Sequence, residues 1–288
     1  MKWMEYFYII TNQEKDNKLE VTNKIRKILE ENGKRVDMYI QKRALGDASY
    51  TDAQIIPDDV DCILVLGGDG TLLQAARDVV EKEVPLLGIN LGTLGYLAEV
   101  EKSGIESALQ QVVAGNYHLE KRMMLTGQII RDGYVLENTH ALNDVAITRG
   151  GSLQIIDFDI YVNGQFLNGY SADGIIISTP TGSTGYNLSA GGPIVEPKAE
   201  LLVLTPICPH TLNTRSIILS AEDVVSVEVK PARDGRKLEV EANFDGRHRV
   251  LLQEGDRIQI ARSKKTTEIV KLSEVSFLEV LHKKMSGQ

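Results

Sequence analysis

Gly67-Gly68-Asp69-Gly70-Thr71 sets one carboxylate among three glycines, between the apolar run Val60–Leu66 and the helical pattern Leu72–Arg77. A buried strand thus delivers a glycine turn to the start of a helix. Unpaired N–H groups and the positive end of the helix dipole suit a phosphate there. Gly67, Gly68 and Thr71 are the candidate phosphate contacts, and glycine lets the backbone come close to a ligand and adopt positive φ. Asp69 does not fit a plain phosphate cradle, because its charge repels the ligand. It fits chemistry in which a carboxylate takes a proton from an attacking hydroxyl or helps hold a divalent cation.

A second constellation spans Ser171–Pro193, where Ile175–Ile177 runs into Ser178-Thr179-Pro180-Thr181-Gly182-Ser183-Thr184-Gly185. So many small hydroxyls and glycines are unusual for a core segment. They offer contacts to phosphate or ribose oxygens, and Tyr186 offers a flat face for a base. The same composition also describes a plain surface loop. In Leu142-Asn143-Asp144-Val145 an amide stands beside a carboxylate at a strand start. Asn143 can read an adenine edge and Asp144 can accept from paired ribose hydroxyls, although Asn-Asp is also a common turn.

The elements that must position these residues follow from periodicity. Tyr6–Ile10, Val36–Ile40, Val60–Leu66 and Pro85–Ile89 read as strands. Val21, Ile25, Ile28 and Leu29 recur at helical spacing and stop at Gly33, while residues 41–59 are polar loop. Ser103-Gly104-Ile105-Glu106 has the form of a capping box opening a helix through Val113, closed by Gly115. This alternation predicts an α/β domain with a doubly wound parallel sheet. After Glu120 the pattern becomes strands punctuated by Asp132-Gly133, Asn163-Gly164, Asp245-Gly246 and Glu254-Gly255-Asp256, all read as hairpin signals. The expected organisation is residues 1–120 plus 272–288 as the α/β domain and 121–271 as an all-β antiparallel domain. An amphipathic helix over Ser273–Lys284 is expected to pack back on the first domain.

The chain has 288 residues, 42% hydrophobic and 25% charged, with formal net charge −8. That balance argues against broad duplex nucleic-acid binding. No apolar run reaches the roughly 20 residues of a membrane span. Two cysteines far apart, Cys62 in an apolar strand and Cys208, point to reduced thiols and a cytoplasmic protein. There is no Gly-x-x-x-x-Gly-Lys-Ser/Thr, no Gly-x-Gly-x-x-Gly after a strand, no zinc-ligand spacing among the histidines and no serine elbow. Arg77 and Arg149 read as surface or interface residues, Arg149 standing close to Asn143-Asp144.

Taken together, the blocks Gly67–Thr71, Asn90–Leu97, Leu142–Asp144, Ser171–Gly174, Ser178–Pro193 and Thr205–His210 resemble, in order, those of the NAD kinase family of bacterial type. The resemblance runs from Tyr6 to Leu281. It implies a phosphofructokinase-like first domain and transfer of the ATP γ-phosphate to the 2′-hydroxyl of the adenosine ribose of NAD. By this resemblance Asp69 is the proton acceptor and Gly70 contacts NAD. Asn143 and Asp144 hold the adenosine half, and Asp173 contacts the nicotinamide half. Thr181, Thr184, Tyr186 and Ser189 line the adenosine pocket, with Gly185 and Cys208 as small residues in its wall. Mg²⁺ or Mn²⁺ acts with ATP, and the family forms homodimers or homotetramers. The chain departs from many relatives at Arg247, where they carry Gln, and at Ser171, where some carry a basic residue. Two other classes share parts of the pattern: lipid kinases of the diacylglycerol or sphingosine type, and a non-catalytic NAD(P)-binding sensor.

Overall fold

The computed structural model describes residues 3–41, 51–92, 95–151, 155–211, 214–231, 239–273 and 275–286. Part of the polar segment 41–59 and two residues of the Asn90–Leu97 block, Thr93 and Leu94, lie outside the described residues. The chain divides into two compact units, Met1–Arg122 with Lys265–Gln288, and Met123–Lys264.

In the first unit the strands Arg35–Gln41, Tyr6–Asn12, Cys62–Gly67 and Leu86–Asn90 lie side by side in that order, all parallel. In Tyr6–Asn12, Cys62–Gly67 and Leu86–Asn90 the apolar runs are nearly continuous, as in a parallel sheet covered on both faces, whereas the outer strand Arg35–Gln41 carries exposed Arg35 and Asp37. Phe7, Ile9, Cys62, Leu64 and Leu87 from the sheet meet Ile25 and Leu29 of the helix Glu20–Glu31, and Leu109 and Val112 of the helix Ile105–Val113. Gly33 ends the first of these helices at φ 74°, with the N–H of Lys34 donating to Leu29 O and that of Gly33 to Glu30 O. This satisfies carbonyls that the last turn leaves open.

The expected capping box at Ser103 does not form. Lys102–Gly104 is a 3₁₀ turn, Gly104 is the N-cap, and no side chain caps the helix. A capping box does form at the last helix. Ser276 accepts the Glu279 N–H while Glu279 takes the Ser276 N–H, so the helix begins at Phe277 and runs to Met285. Ser273 lies outside it because its N–H and hydroxyl both donate to Glu99, which also pairs with Lys271. The last helix buries no side chain, and Lys284 lies 4.8 Å from the centre of the Tyr96 ring.

The second unit is antiparallel. A six-stranded sheet runs Ile217–Ser220, Leu201–Ile207, Gly174–Ser178, Asp144–Arg149, Val240–Phe244, His248–Leu252. In a second layer Gln165–Ala172 pairs with Ile156–Val162, which pairs with Val225–Val229, which pairs with residues 257–260. The alternating residues Ile156, Phe158 and Ile160, and Val225, Val227 and Val229, face a core shared with Ile147, Ile175, Ile177 and Phe244. Asp132-Gly133 and Asn163-Gly164 have positive φ at both positions, as a two-residue hairpin turn requires. Glu254-Gly255-Asp256 is not a hairpin: it joins strands that lie in different sheets. There the fully buried Asp256 accepts from Gln253 N–H and from Nε and Nη2 of the partly exposed Arg131, so the turn is set by an ion pair. Cys62 is buried, its thiol pushed up by desolvation, and Cys208 is exposed; both are free. Among the described residues no helix is long and apolar enough to cross a membrane.

Candidate active site

In the first unit the strand Cys62–Gly67 runs straight into the helix Asp69–Asp78, with Gly68 as N-cap. None of Gly67, Gly68 and Gly70 has positive φ, contrary to the expectation from glycine's freedom. A strand that continues directly into a helix needs no left-handed residue, and space is what matters here. A Cβ on Gly67 would overlap the Thr71 side chain, and one on Gly68 would lie 2.8 Å from the Lys15 ammonium. Thr71 is buried and shores up the turn, while Lys15 brings an exposed cation beside Gly68 and, at 3.4 Å from a Cβ position, Gly92. Lys15 gave no signal in the sequence, being one lysine in a polar turn. It follows the first strand, and the carboxyl ends of neighbouring parallel strands gather such loops.

Asp69 sits in the first turn of its helix, half-buried. Its Oδ2 accepts the N–H of Tyr96 at 2.7 Å, and its Oδ1 accepts those of Leu97 and Ala98 at 3.3 and 3.2 Å. These donors hold the carboxylate in one orientation and leave Oδ2 lone-pair capacity for a further proton. The approach is possible because residue 95 is glycine: a Cβ there would overlap all three atoms of the carboxylate group.

In the second unit a cavity of about 570 Å³ opens on the face of the six-stranded sheet, and Asn143, Asp144, Arg149, Asp173 and Tyr186 line it. Ala146 and Ile207 supply apolar floor, and Asn243, Asp245, Glu241 and Arg249 complete the polar wall. Among the described residues the Asn143 Oδ1 is buried without a hydrogen-bond partner. Asp144 is buried, and its carboxyl is pushed up to about 8, by burial first and by the Asp245 charge second. The Tyr186 phenol is pushed up by burial and by Asp144, Cys208 and Asp173 nearby, with Arg149 opposing. It is 46% exposed, with a free ring surface at the cavity.

Arg149 is a cavity residue and not a plain surface cation: its Nε lies 3.0 Å from Asp173 Oδ1. Arg247 is exposed and does not line the cavity; Arg249, two residues on, does. Ser171 hydrogen-bonds Asp157.

Three hydroxyls of the Ser178–Gly185 block, those of Ser178, Thr179 and Ser183, are bonded inside the protein. Ser178, Thr179, Thr181 and Ser183 are buried. Thr179 donates its N–H to Asn143 O and its hydroxyl to Leu142 O, and Ser183 bonds Val195 in both directions. A Cβ on Gly182 would overlap the Asn143 backbone. The block therefore acts as scaffold for residues 142–144. Gly185 belongs to it, 3.2 Å from the Asn143 Nδ2 at its Cβ position. Thr181, Thr184, Ser189 and Cys208 are not among the residues lining the cavity, and Ser189 and Cys208 are exposed. Composition alone did not separate these supporting hydroxyls from ligand-facing ones.

The raised Asp144 carboxyl has a consequence for stability. Between the ordinary carboxylate value near 4 and about 8, the folded chain holds a proton that the unfolded chain has released. The contribution of Asp144 to stability is therefore present at low pH and lost as pH rises to about 8. Asp144→Asn should melt above the parent by a margin that widens from pH 5 to pH 8.5 in matched thermal scans. A constant or shrinking margin would contradict this account.

Comparison with known proteins bears on these features. Residues 7–117 match the ATP-NAD kinase N-terminal domain and residues 142–272 the ATP-NAD kinase C-terminal domain. Similar curated proteins include the NAD kinase of Lachnoclostridium phytofermentans, 45% identical over 99% of this chain and 100% of that one. Another is the NAD kinase of Lachnospira eligens, 47% identical over 98% and 100%. Among solved structures, yeast NADH kinase complexed with NADH superposes with TM-score 0.83 at 25% identity, covering 99% of this chain and 88% of that one. An NAD kinase from Archaeoglobus fulgidus shares the fold with TM-score 0.75 at 23% identity, covering 98% and 99%.

Proposed function

This chain belongs to the ATP-NAD kinase family, and from that premise we propose that it phosphorylates the 2′-hydroxyl of the adenosine ribose of NAD with Asp69 as general base. The overall reaction is ATP-dependent conversion of NAD to NADP. An aliphatic hydroxyl is a poor nucleophile, and phosphoryl transfer is catalysed mainly by positioning and charge stabilisation. Asp69 removes the hydroxyl proton as the new O–P bond forms and the bond from the γ-phosphorus to the ADP leaving-group oxygen breaks. The Gly67-Gly68 turn, the helix N-terminus behind it and the Lys15 ammonium receive phosphate oxygens of the donor. What carries the base assignment is the Asp69 carboxylate itself, aimed by three main-chain donors at the mouth of a phosphate-binding turn.

Recognition of NAD falls to the second unit's cavity. Asn143 Oδ1 takes a donor from the adenosine half, Asp144 accepts from ribose hydroxyls and Tyr186 stacks on the base. Gly185 keeps that wall open. Asp173, aimed by Arg149, contacts the nicotinamide half. Among the described residues no three carboxylate, His or Cys groups converge on one metal position. Mg²⁺ or Mn²⁺ brought in on ATP would be held largely by phosphate oxygens and water, which leaves Asp69 Oδ2 for the proton. When bound, the ion offsets charge on the transferring phosphoryl group. A homo-oligomer in the cytoplasm is the setting we assign to the enzyme.

Purified protein supplied with NAD, ATP and Mg²⁺ should form NADP, detected with an NADP-specific dehydrogenase. Omission of the metal should abolish turnover. Absence of NADP from the complete mixture would overturn the reading.

A further inference from the structure

Asp245 opens the turn between Val240–Phe244 and His248–Leu252, in the left-handed region at φ 52°. Its carboxylate points back onto the segment just before the strand Asp144–Arg149. Oδ2 accepts the N–H of Leu142 at 2.9 Å, and Oδ1 accepts those of Asn143 and Asp144 at 2.7 and 3.3 Å. The Asp245 N–H donates in turn to Asp144 O at 3.1 Å. From the opposite side Thr179 binds the carbonyls of Leu142 and Asn143. Residues 142–144 are thus clamped on both sides, and the directions of two adjacent side chains follow from that clamp.

A neutral amide offers one acceptor oxygen where this carboxylate uses two for three N–H groups. The same carboxylate places a full negative charge next to the buried Asp144 carboxyl, an arrangement that is costly for stability. We propose that Asp245 is a positioning residue for dinucleotide binding, setting both the direction and the charge state of the Asn143-Asp144 pair. The proposal rests on the reading that this pair holds the adenosine half of NAD. An ionised aspartate offers both oxygens as acceptors to a pair of sugar hydroxyls, whereas the protonated acid presents one of them as an O–H donor, and Asp144 in this cavity keeps its proton up to about pH 8. NAD affinity should therefore rise with pH toward that value. Tyr186, Asp173, Arg149, Glu241 and Arg249 line the same cavity, and Cys208 stands near Tyr186. Asp245 is the only one of these charges that perturbs Asp144 resolvably.

The test is calorimetric titration of NAD into the full chain and three variants between pH 6 and pH 9. Asp245→Gly and Asp245→Asn both tolerate positive φ, so neither imposes backbone strain. At pH 9, Asp245→Gly should bind NAD at least about tenfold more weakly, the loss of one good hydrogen bond. Asp245→Asn keeps one acceptor and removes the charge, and should move the affinity–pH midpoint down by about one pH unit. A merely structural role would weaken binding equally at every pH. Binding by Asp245→Gly within twofold of the parent at pH 9, or an unmoved midpoint in Asp245→Asn, overturns the proposal. Asp144→Asn separates the two levels: with it, affinity should drop and the pH dependence should vanish. Parent-like binding and an intact profile in Asp144→Asn would instead overturn the reading of the pair itself.

Discussion

Asp69→Asn is expected to lower kcat by about 10²- to 10⁴-fold, the range for losing a general base, with the KM for NAD nearly unchanged. The substitution keeps the shape of the side chain and removes its ability to take a proton. Its carbonyl oxygen can still accept from Leu97 and Ala98, as Oδ1 does in the parent, while its NH2 replaces Oδ2 and gives up the bond from the Tyr96 N–H. A loss concentrated in kcat marks an interaction made mainly in the transition state. Near-normal turnover would remove Asp69 from the base role.

Gly95→Ala should be almost as damaging, although residue 95 supplies no chemistry. Its Cβ would occupy the space of the Asp69 carboxylate, which three N–H donors from residues 96–98 hold in place. The carboxylate must swing out or the 95–98 loop must retreat, and either change misaims the proton acceptor. A misplacement near 1 Å can cost about 10²-fold in rate. Because both substitutions act on the same group, the double variant Asp69→Asn/Gly95→Ala should be scarcely worse than Asp69→Asn alone. Full additivity of the two losses in kcat would show that Gly95 acts elsewhere.

Much of this was legible without coordinates where physics is local. The strand–turn–helix around Asp69, the hairpin turns at Asp132-Gly133 and Asn163-Gly164, and the burial of Cys62 follow from periodicity and backbone preference within a few residues. The errors fell where local rules compete. Ser103 and Ser276 stand three residues before a glutamate in the same way, yet only Ser276 caps its helix, because the chain enters the other helix through a 3₁₀ turn. In the hydroxyl-rich block Ser178, Thr179 and Ser183 bond neighbouring carbonyls, a distinction that composition does not carry.

Residue type and order by themselves determined that a lone carboxylate stands on a glycine turn at a helix start, that Asn143 and Asp144 sit at a strand start, and which family's chemistry the chain carries. Tertiary structure alone decided how those groups are aimed. Asp69 is oriented by residues 96–98, and Asn143 and Asp144 by a carboxylate about a hundred positions away, at Asp245. Arg149 meets Asp173 across adjacent strands. Such contacts depend on strand pairing and on the few ångströms left free by a missing Cβ. No short-range pattern encodes those, because the partners approach only after the sheets have formed.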